Sequence, residues 1–259
     1  MHTAYALDAV LTEVTKICGP LIAAAVASHS PQLGVIAAGV LLVIGTSLVM
    51  FHPRADRTPA ASGAGRGVLT SSALRLLLTA NVCAGLCLGA LTVGLPARAA
   101  EEGSAADAGW LFASLALGSA LAGAKLGTRY RTVSSATSYL TAFVWLALAL
   151  APLAAVSTPS LLVILLVSAG AALAPMTICL FELLNTYAPR HMAVAAMMWM
   201  VAGEELGIAA GTLVAGALAQ QDGAWLALLT AAAGGALGAL IIATRKADLA
   251  PGGKPTADY

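Results

Sequence analysis

Charge is what this sequence has least of. Only 10% of its 259 residues are Asp, Glu, Lys or Arg, while 59% are hydrophobic and the mean hydropathy is +0.89. A soluble domain carries about a quarter charged residues because its surface meets water, so there is too little charge here to coat one. The net charge of +1 leaves no basic surplus for nucleic acid. Cysteine is scarce as well. Cys18, Cys83, Cys87 and Cys179 all fall inside apolar runs, which argues against the disulfide framework of a small secreted domain. Cys83 and Cys87 share a helix face, but two thiols without a third ligand read as small packing residues and not as a metal site. No Lys or Arg precedes the first apolar stretch and no clear cleavage site follows it, so the amino terminus does not read as a signal peptide. There is no His-Glu-x-x-His motif, no serine nucleophile arrangement and no pair of aspartates, and His2, His29, His52 and His191 lie in loops or segment ends. Neither an enzyme nor a bound cofactor is expected.

What the sequence has is long apolar runs. A spanning helix needs about 20 apolar residues to cross ~30 Å of hydrocarbon. Eight stretches qualify: Leu7–Ser28, Gln32–Phe51, Ala73–Ala97, Ala108–Gly127, Ala136–Val156, Ser160–Asn185, Ala193–Ala219 and Ala224–Thr244. Turn and breaker signals separate them, among them Ser30-Pro31, Thr158-Pro159, Ala188-Pro189-Arg190 and Gln221-Asp222-Gly223. The expected fold is an all-α integral membrane protein with about eight transmembrane helices. Residues 1–51 hold two of them, and 52–72, rich in Pro, Gly, Ala, Ser and Arg, read as a flexible cytoplasmic linker. Residues 73–245 hold six more as a bundle, and 246–259 read as a disordered cytoplasmic tail.

Loop charges set the orientation. Assigning loops alternately to two sides puts Arg54, Arg57, Arg66, Arg75, Lys125, Arg129, Arg131, Arg190, Arg245, Lys246 and Lys254 on the side of the amino terminus. Arg98 stands alone on the other, with Glu101, Glu102 and Asp107. Cytoplasmic loops carry the excess of Lys and Arg, so both termini are expected in the cytoplasm, with the chain a multi-pass protein of the cell (inner) membrane. Small residues four apart let helix backbones approach in a bilayer. Gly85 with Gly89, Gly123 with Gly127, Gly203 with Gly207 and Gly211, and Gly234 with Gly238 mark such faces.

A shift of 192 residues lays the first segment on the seventh. Glu13 then falls on Glu205, Gly19 on Gly211, Leu21 on Leu213, and Ala23, Ala25 and Ala27 on Ala215, Ala217 and Ala219. The alanines are cheap matches; the Glu-x5-Gly element carries more information. Such a shift fits a six-helix period, and parallel six-helix halves are a transporter architecture.

A charge at membrane depth costs several kcal/mol or more, so it is expected to be paired, protonated or facing water. That singles out the acids within the segments. Glu204 and Glu205 lie about 17 Å from the start of the seventh at 1.5 Å per residue, and no basic residue of that helix neutralises them. Burial without a partner favours the neutral form of a carboxyl, as proton coupling requires. Glu204 shares a face with Met200, Gly207 and Gly211; Glu205 sits about 100° away with Val201, Ile208 and Thr212, so the two do not face one cavity equally. The plainer reading is a buried acid bonded to a neighbouring helix. Glu13 and Lys16, spaced i, i+3, read first as a self-neutralising pair and second as a cavity acid matched to Glu205. Asn81 and Asn185 read as contacts to substrate or as interhelical hydrogen bonds. Glu182, near the cytoplasmic end of its helix, reads as an interfacial acid or a gate. Pro175 is expected to kink the sixth segment. Met197, Met198, Trp199 and Met200 form an adaptable apolar surface, and Arg129 and Arg131 anchor the topology.

Two stretches carry a family resemblance. Leu7-Asp8-Ala9-Val10-Leu11 through Glu13 to Gly19-Pro20-Leu21 resembles the fifth helix of the major facilitator superfamily, in its bacterial drug-efflux-like branch. Its Gly19-Pro20 pair is similar to the antiporter signature there, although Thr15, Ala23 and Ala24 stand where that signature prefers glycine. Gly123-Ala-Lys-Leu-Gly127-Thr-Arg129-Tyr-Arg131 resembles the family's short basic loop between the eighth and ninth helices, which implies a conformational role for Gly123, Gly127, Arg129 and Arg131. The resemblance does not extend to Glu204 and Glu205, where the family has small residues. It implies proton-coupled efflux of a small amphipathic compound by alternating access, with the lipid bilayer, a small-molecule substrate and protons as partners. It also implies twelve helices, of which this chain supplies the fifth to the twelfth. The alternative expectation is therefore a truncated, non-transporting membrane protein or a split subunit whose partner chain supplies the missing helices.

Overall fold

The computed structural model describes residues 31–51, 64–101, 108–127, 134–156, 158–189 and 192–249. The first apolar segment, with Glu13, Lys16, Cys18, Gly19 and Pro20, lies outside them, as do Arg129 and Arg131. Every described element is helical. Two compact units divide between Ala60 and Ala61.

In the first unit, α1 (Pro31–Met50) is a single helix. Its apolar side chains point in all directions: Leu33, Ile36, Val40, Leu41, Leu42, Val43, Ile44 and Leu48 are all exposed. An all-round apolar helix has no face to give to water.

The second unit begins with α2 (Ala64–Thr70) and continues through α3 (Ser72–Glu101), α4 (Ala108–Gly127), α5 (Ser135–Leu150) with a tight turn at Ala151–Ala154, α6 (Pro159–Tyr187), α7 (Ala193–Asp222) and α8 (Ala224–Thr244). Among the described residues, five helices are long and apolar enough to cross a membrane: α3, α5 with its turn, α6, α7 and α8. Their lengths and apolar composition are those of a multi-pass helical protein. Pro96 and Pro175 sit inside α3 and α6 without ending either helix. Gly223 joins α7 to α8 in one step, at φ 98°, a conformation that favours glycine.

Two boundaries differ from the sequence reading. Part of the stretch read as flexible linker is the helix α2, which packs on α3 and α7; Val68 is fully buried there, and Thr70 Oγ1 donates to the carbonyl of Gly67 at 2.7 Å. A Gly- and Arg-rich composition conceals a single apolar anchor. Likewise the start of the tail is ordered: Lys246–Leu249 forms a turn that buries Leu249, closed by an Arg245–Asp248 ion pair at 2.8 Å.

Within this unit α3 is central, packing chiefly on α7 and α8; α6 packs chiefly on α4 and α5, and α5 meets α8. Of the α3 span 61% is buried, against 22% for α7, so α7 lies at the margin of the bundle. The core gathers Leu74, Leu77, Leu91, Leu95, Phe143, Leu146 and Leu166, with Tyr139 among them at 0% exposure.

Candidate functional site

The polar residues that matter here are set by how closely two helices approach. A Cβ added to Gly85 of α3 would strike the carbonyl of Glu204 on α7; one added to Gly207 would strike the carbonyl of Val82. The contact is reciprocal: each glycine meets the carbonyl three residues before the other. Gly89 and Gly211 repeat it one turn on, against Ile208 and Leu86. Such close approach lets Cα–H groups face carbonyl oxygens across the seam. The α4–α6 seam uses the same device. Gly118 meets the carbonyl of Val167, and Gly170 meets that of Leu115, again three residues before the facing glycine.

On this frame Asn81 is buried and its Nδ2 donates to the carbonyl of Met200 at 2.8 Å, one turn before Glu204. Thr212 Oγ1 donates to Ile208 O at 2.7 Å and reaches Gly89 O at 3.4 Å. The backbone of Glu204 is thus held at a close helix crossing, and its side chain is half-buried. Glu205, about 100° round α7, is exposed.

On α5, which packs on α6 and α8, stands a residue that sequence reasoning missed. Tyr139 packs edge-on to Phe143, ring centroids 5.2 Å apart. Its hydroxyl is buried and has no hydrogen-bond partner. A tyrosine in an apolar run reads as core, and nothing in the sequence marks a hydroxyl left unbonded. No group of three His, Cys, Asp or Glu among the described residues is placed to hold a metal ion.

No protein-family model, curated protein or solved structure matches this chain. The site therefore rests on its own geometry.

The remaining candidates are dispersed. Asn185 is exposed near the end of α6. Glu182 accepts from Ser135 Oγ at 2.7 Å, tying α6 to the first turn of α5. Pro175 is half-buried within α6. A Cβ added at Gly123 would meet only the Cβ of Ala174, at 3.3 Å, and Gly127 ends α4. At the opposite end of the bundle Glu101 of α3 accepts the backbone N–H of Ala224 at 2.7 Å, capping α8. Arg98 stands 3.6 Å from Glu101 and donates to Val156 O at 3.1 Å. Asn81 and Glu204 are the sequence candidates brought together; Glu205 and Asn185 are not part of that group.

Proposed function

We propose that this chain is an integral membrane transporter of the major facilitator type, moving a small amphipathic compound out of the cell in exchange for protons by alternating access. On this reading it sits in the cell membrane with both termini in the cytoplasm. The carrying observation is a broken internal symmetry. Exchanging α3, α4 and α5 for α6, α7 and α8 maps the α3–α7 seam onto α6–α4, the α3–α8 contact onto α6–α5, and α5–α8 onto itself. The α7–α8 contact is the departure, since α4 and α5 touch much less. Inverted three-helix repeats nested in a six-helix half belong to this transporter architecture. Under the exchange Gly85 falls on Gly170 and Gly207 on Gly118, so Asn81 and Glu204 fall on Leu166 and Leu115, both buried. Packing needs only leucine at those places. A carboxamide and a carboxyl at places where the sister seam has leucine support a role in moving a proton or contacting substrate.

The test is transport by the full chain in liposomes under an imposed pH gradient, read with a fluorescent amphipathic cation. The expected result is pH-driven movement that Glu204→Gln abolishes. Movement left intact by Glu204→Gln and Glu205→Gln together would reject proton coupling through these acids, and none above empty liposomes would reject transport by this chain alone.

One observation favours the second reading, a subunit that works with a partner chain. Glu205 is exposed on α7 beside Val201 and Leu213, a carboxyl on an apolar face that lipid does not satisfy. Co-purification with a second membrane protein, lost in Glu205→Leu, is its mark.

A further inference from the structure

The outward face of α7 carries one group that its surroundings do not satisfy. Glu205 stands about 18 Å from the start of this 30-residue helix at 1.5 Å per residue, and it is exposed. It has no hydrogen bond or ion pair within the described residues. Ala202 and Ala209, one turn before it and one turn after, are exposed on the same face. Around them the surface is apolar: Met198 is 62% exposed, Leu206 66% and Leu213 75%. This face is not the one that holds α7 to its own bundle. Gly203, Gly207 and Gly211 are turned to α3, and Glu205 lies about 160° round the helix from Gly203 and Gly207.

We propose that this face of α7 docks a second copy of the chain, the two copies related by a twofold axis along the membrane normal with Glu205 against Glu205. The inference rests on the partner-chain reading and names the partner. Copies that enter one bilayer with the same topology stand at the same depth, and a twofold contact uses the same patch on both. A residue near the axis therefore meets itself. Lipid offers a carboxyl nothing to bond, whereas a second carboxyl does. In its neutral form the group donates through O–H and accepts through C=O, so two of them close a pair of hydrogen bonds and leave no polar atom to the lipid. The neighbours permit the approach. With only methyl groups at Ala202 and Ala209, the two backbones come close enough for the glutamate side chains to meet.

The charges of the chain point to this pairing of like with like. Within α3 to α8 the cations stand at helix ends: Arg75 in the first turn of α3, Arg98 in its last turn and Lys125 in the last turn of α4. These helices of a neighbouring copy bring no Lys or Arg to the depth of Glu205. What they do bring to that depth is another Glu205.

The test counts subunits. The purified full chain, carrying one fluorophore per molecule, is reconstituted in liposomes over a range of protein-to-lipid ratios and read by single-molecule photobleaching. The expected result is a dimer whose association Glu205→Leu weakens about tenfold, the worth of two interhelical hydrogen bonds. Glu205→Gln, whose carboxamide also donates and accepts, is expected to keep it. Contact is read separately. In a Cys18→Ser background a short bis-maleimide is expected to join two Ala209→Cys chains and to leave Leu148→Cys chains, exposed on α5, single. Dimers that Glu205→Leu leaves unchanged, or Leu148→Cys joined as readily as Ala209→Cys, would overturn the proposal. A chain that never pairs with itself but holds a different membrane protein through Glu205 would keep the partner-chain reading and overturn the second copy. A monomer at every ratio that holds nothing would reject both.

Discussion

The α3–α7 seam makes opposite predictions for one substitution at two positions of one helix. Gly207→Ala adds a methyl group that meets the backbone carbonyl of Val82 and approaches Leu86 N at 2.9 Å. Backbone atoms have no rotamer to escape into, so the helices must part. Overpacking of this kind costs about 1–3 kcal/mol, and parting also loses the Cα–H contacts across the seam. Alanine returns up to about 1 kcal/mol of helix propensity, leaving a net loss of about 2 kcal/mol. Gly216→Ala lies on the same helix but meets nothing within 4 Å, so it keeps the propensity term alone and is expected to stabilise by up to about 1 kcal/mol. The assay is reversible unfolding in mixed micelles, titrated with a denaturing detergent and followed by helical circular dichroism. The two variants are expected to separate by about 3 kcal/mol, with opposite signs. Gly203→Ala falls between them, because it meets side chains and no backbone, the flexible tip of Leu78 at 2.5 Å and Val82 Cγ2 at 3.4 Å. The reciprocal geometry adds an internal control. Once Gly207→Ala has parted the helices, Gly85→Ala has less to strike, so the double variant is expected to cost clearly less than the sum. Equal signs at Gly207 and Gly216, or strict additivity at Gly85 and Gly207, would refute a seam built by backbone contact.

Glu101 caps α8 through the N–H of Ala224, so Glu101→Ala is expected to cost about 0.5–2 kcal/mol; Glu101→Gln, which keeps an acceptor oxygen, is expected to recover most of it in the same unfolding assay. Cys83, Cys87 and Cys179 are buried. In a Cys18→Ser background a small membrane-permeant maleimide is expected to leave the native chain unlabelled and to label it after unfolding, as mass spectrometry would read; rapid native labelling would contradict the packing of α3 against α8.

The sequence carried the helices because apolar length is a property of composition, and each apolar stretch within the described residues is a helix. It also carried half of the packing. Gly85, Gly89, Gly207 and Gly211 stand at four-residue spacing, and these two pairs face each other. Gly118 and Gly170 were missed although each is followed four residues later by alanine, because alanine is too common here for such a match to stand out. The separation of Glu204 from Glu205 follows from helix geometry alone. Which of the two turns inward does not: the apolar character of α7 is nearly uniform around its axis, and only its neighbours distinguish the faces. Tyr139 was beyond reach for another reason. A missing hydrogen bond is a fact about the helices packed around it, and no local pattern in α5 encodes it.

The exchange of helix triples turns this last distinction into a measurement. If the α3–α7 and α4–α6 seams solve one packing problem twice, the residues at matched positions are interchangeable for folding. Asn81→Leu loses its bond to Met200 O, and interhelical hydrogen bonds in membranes are worth about 0.6 kcal/mol on average and at most about 2. The leucine regains contacts of the kind that Leu166 makes at 0% exposure in the sister seam. Glu204→Leu removes a carboxyl from membrane depth, where its charged form is disfavoured by several kcal/mol, and installs the side chain found at Leu115. The double variant is therefore expected to fold within about 1 kcal/mol of the parent while losing every proton-dependent signal of the chain. A large loss of stability would mean that the polar pair is structural, one more interhelical bond among apolar neighbours. Preserved stability with lost proton response would mean that the fold tolerates Asn81 and Glu204 without needing them, which is the physical signature of residues kept for what they bind.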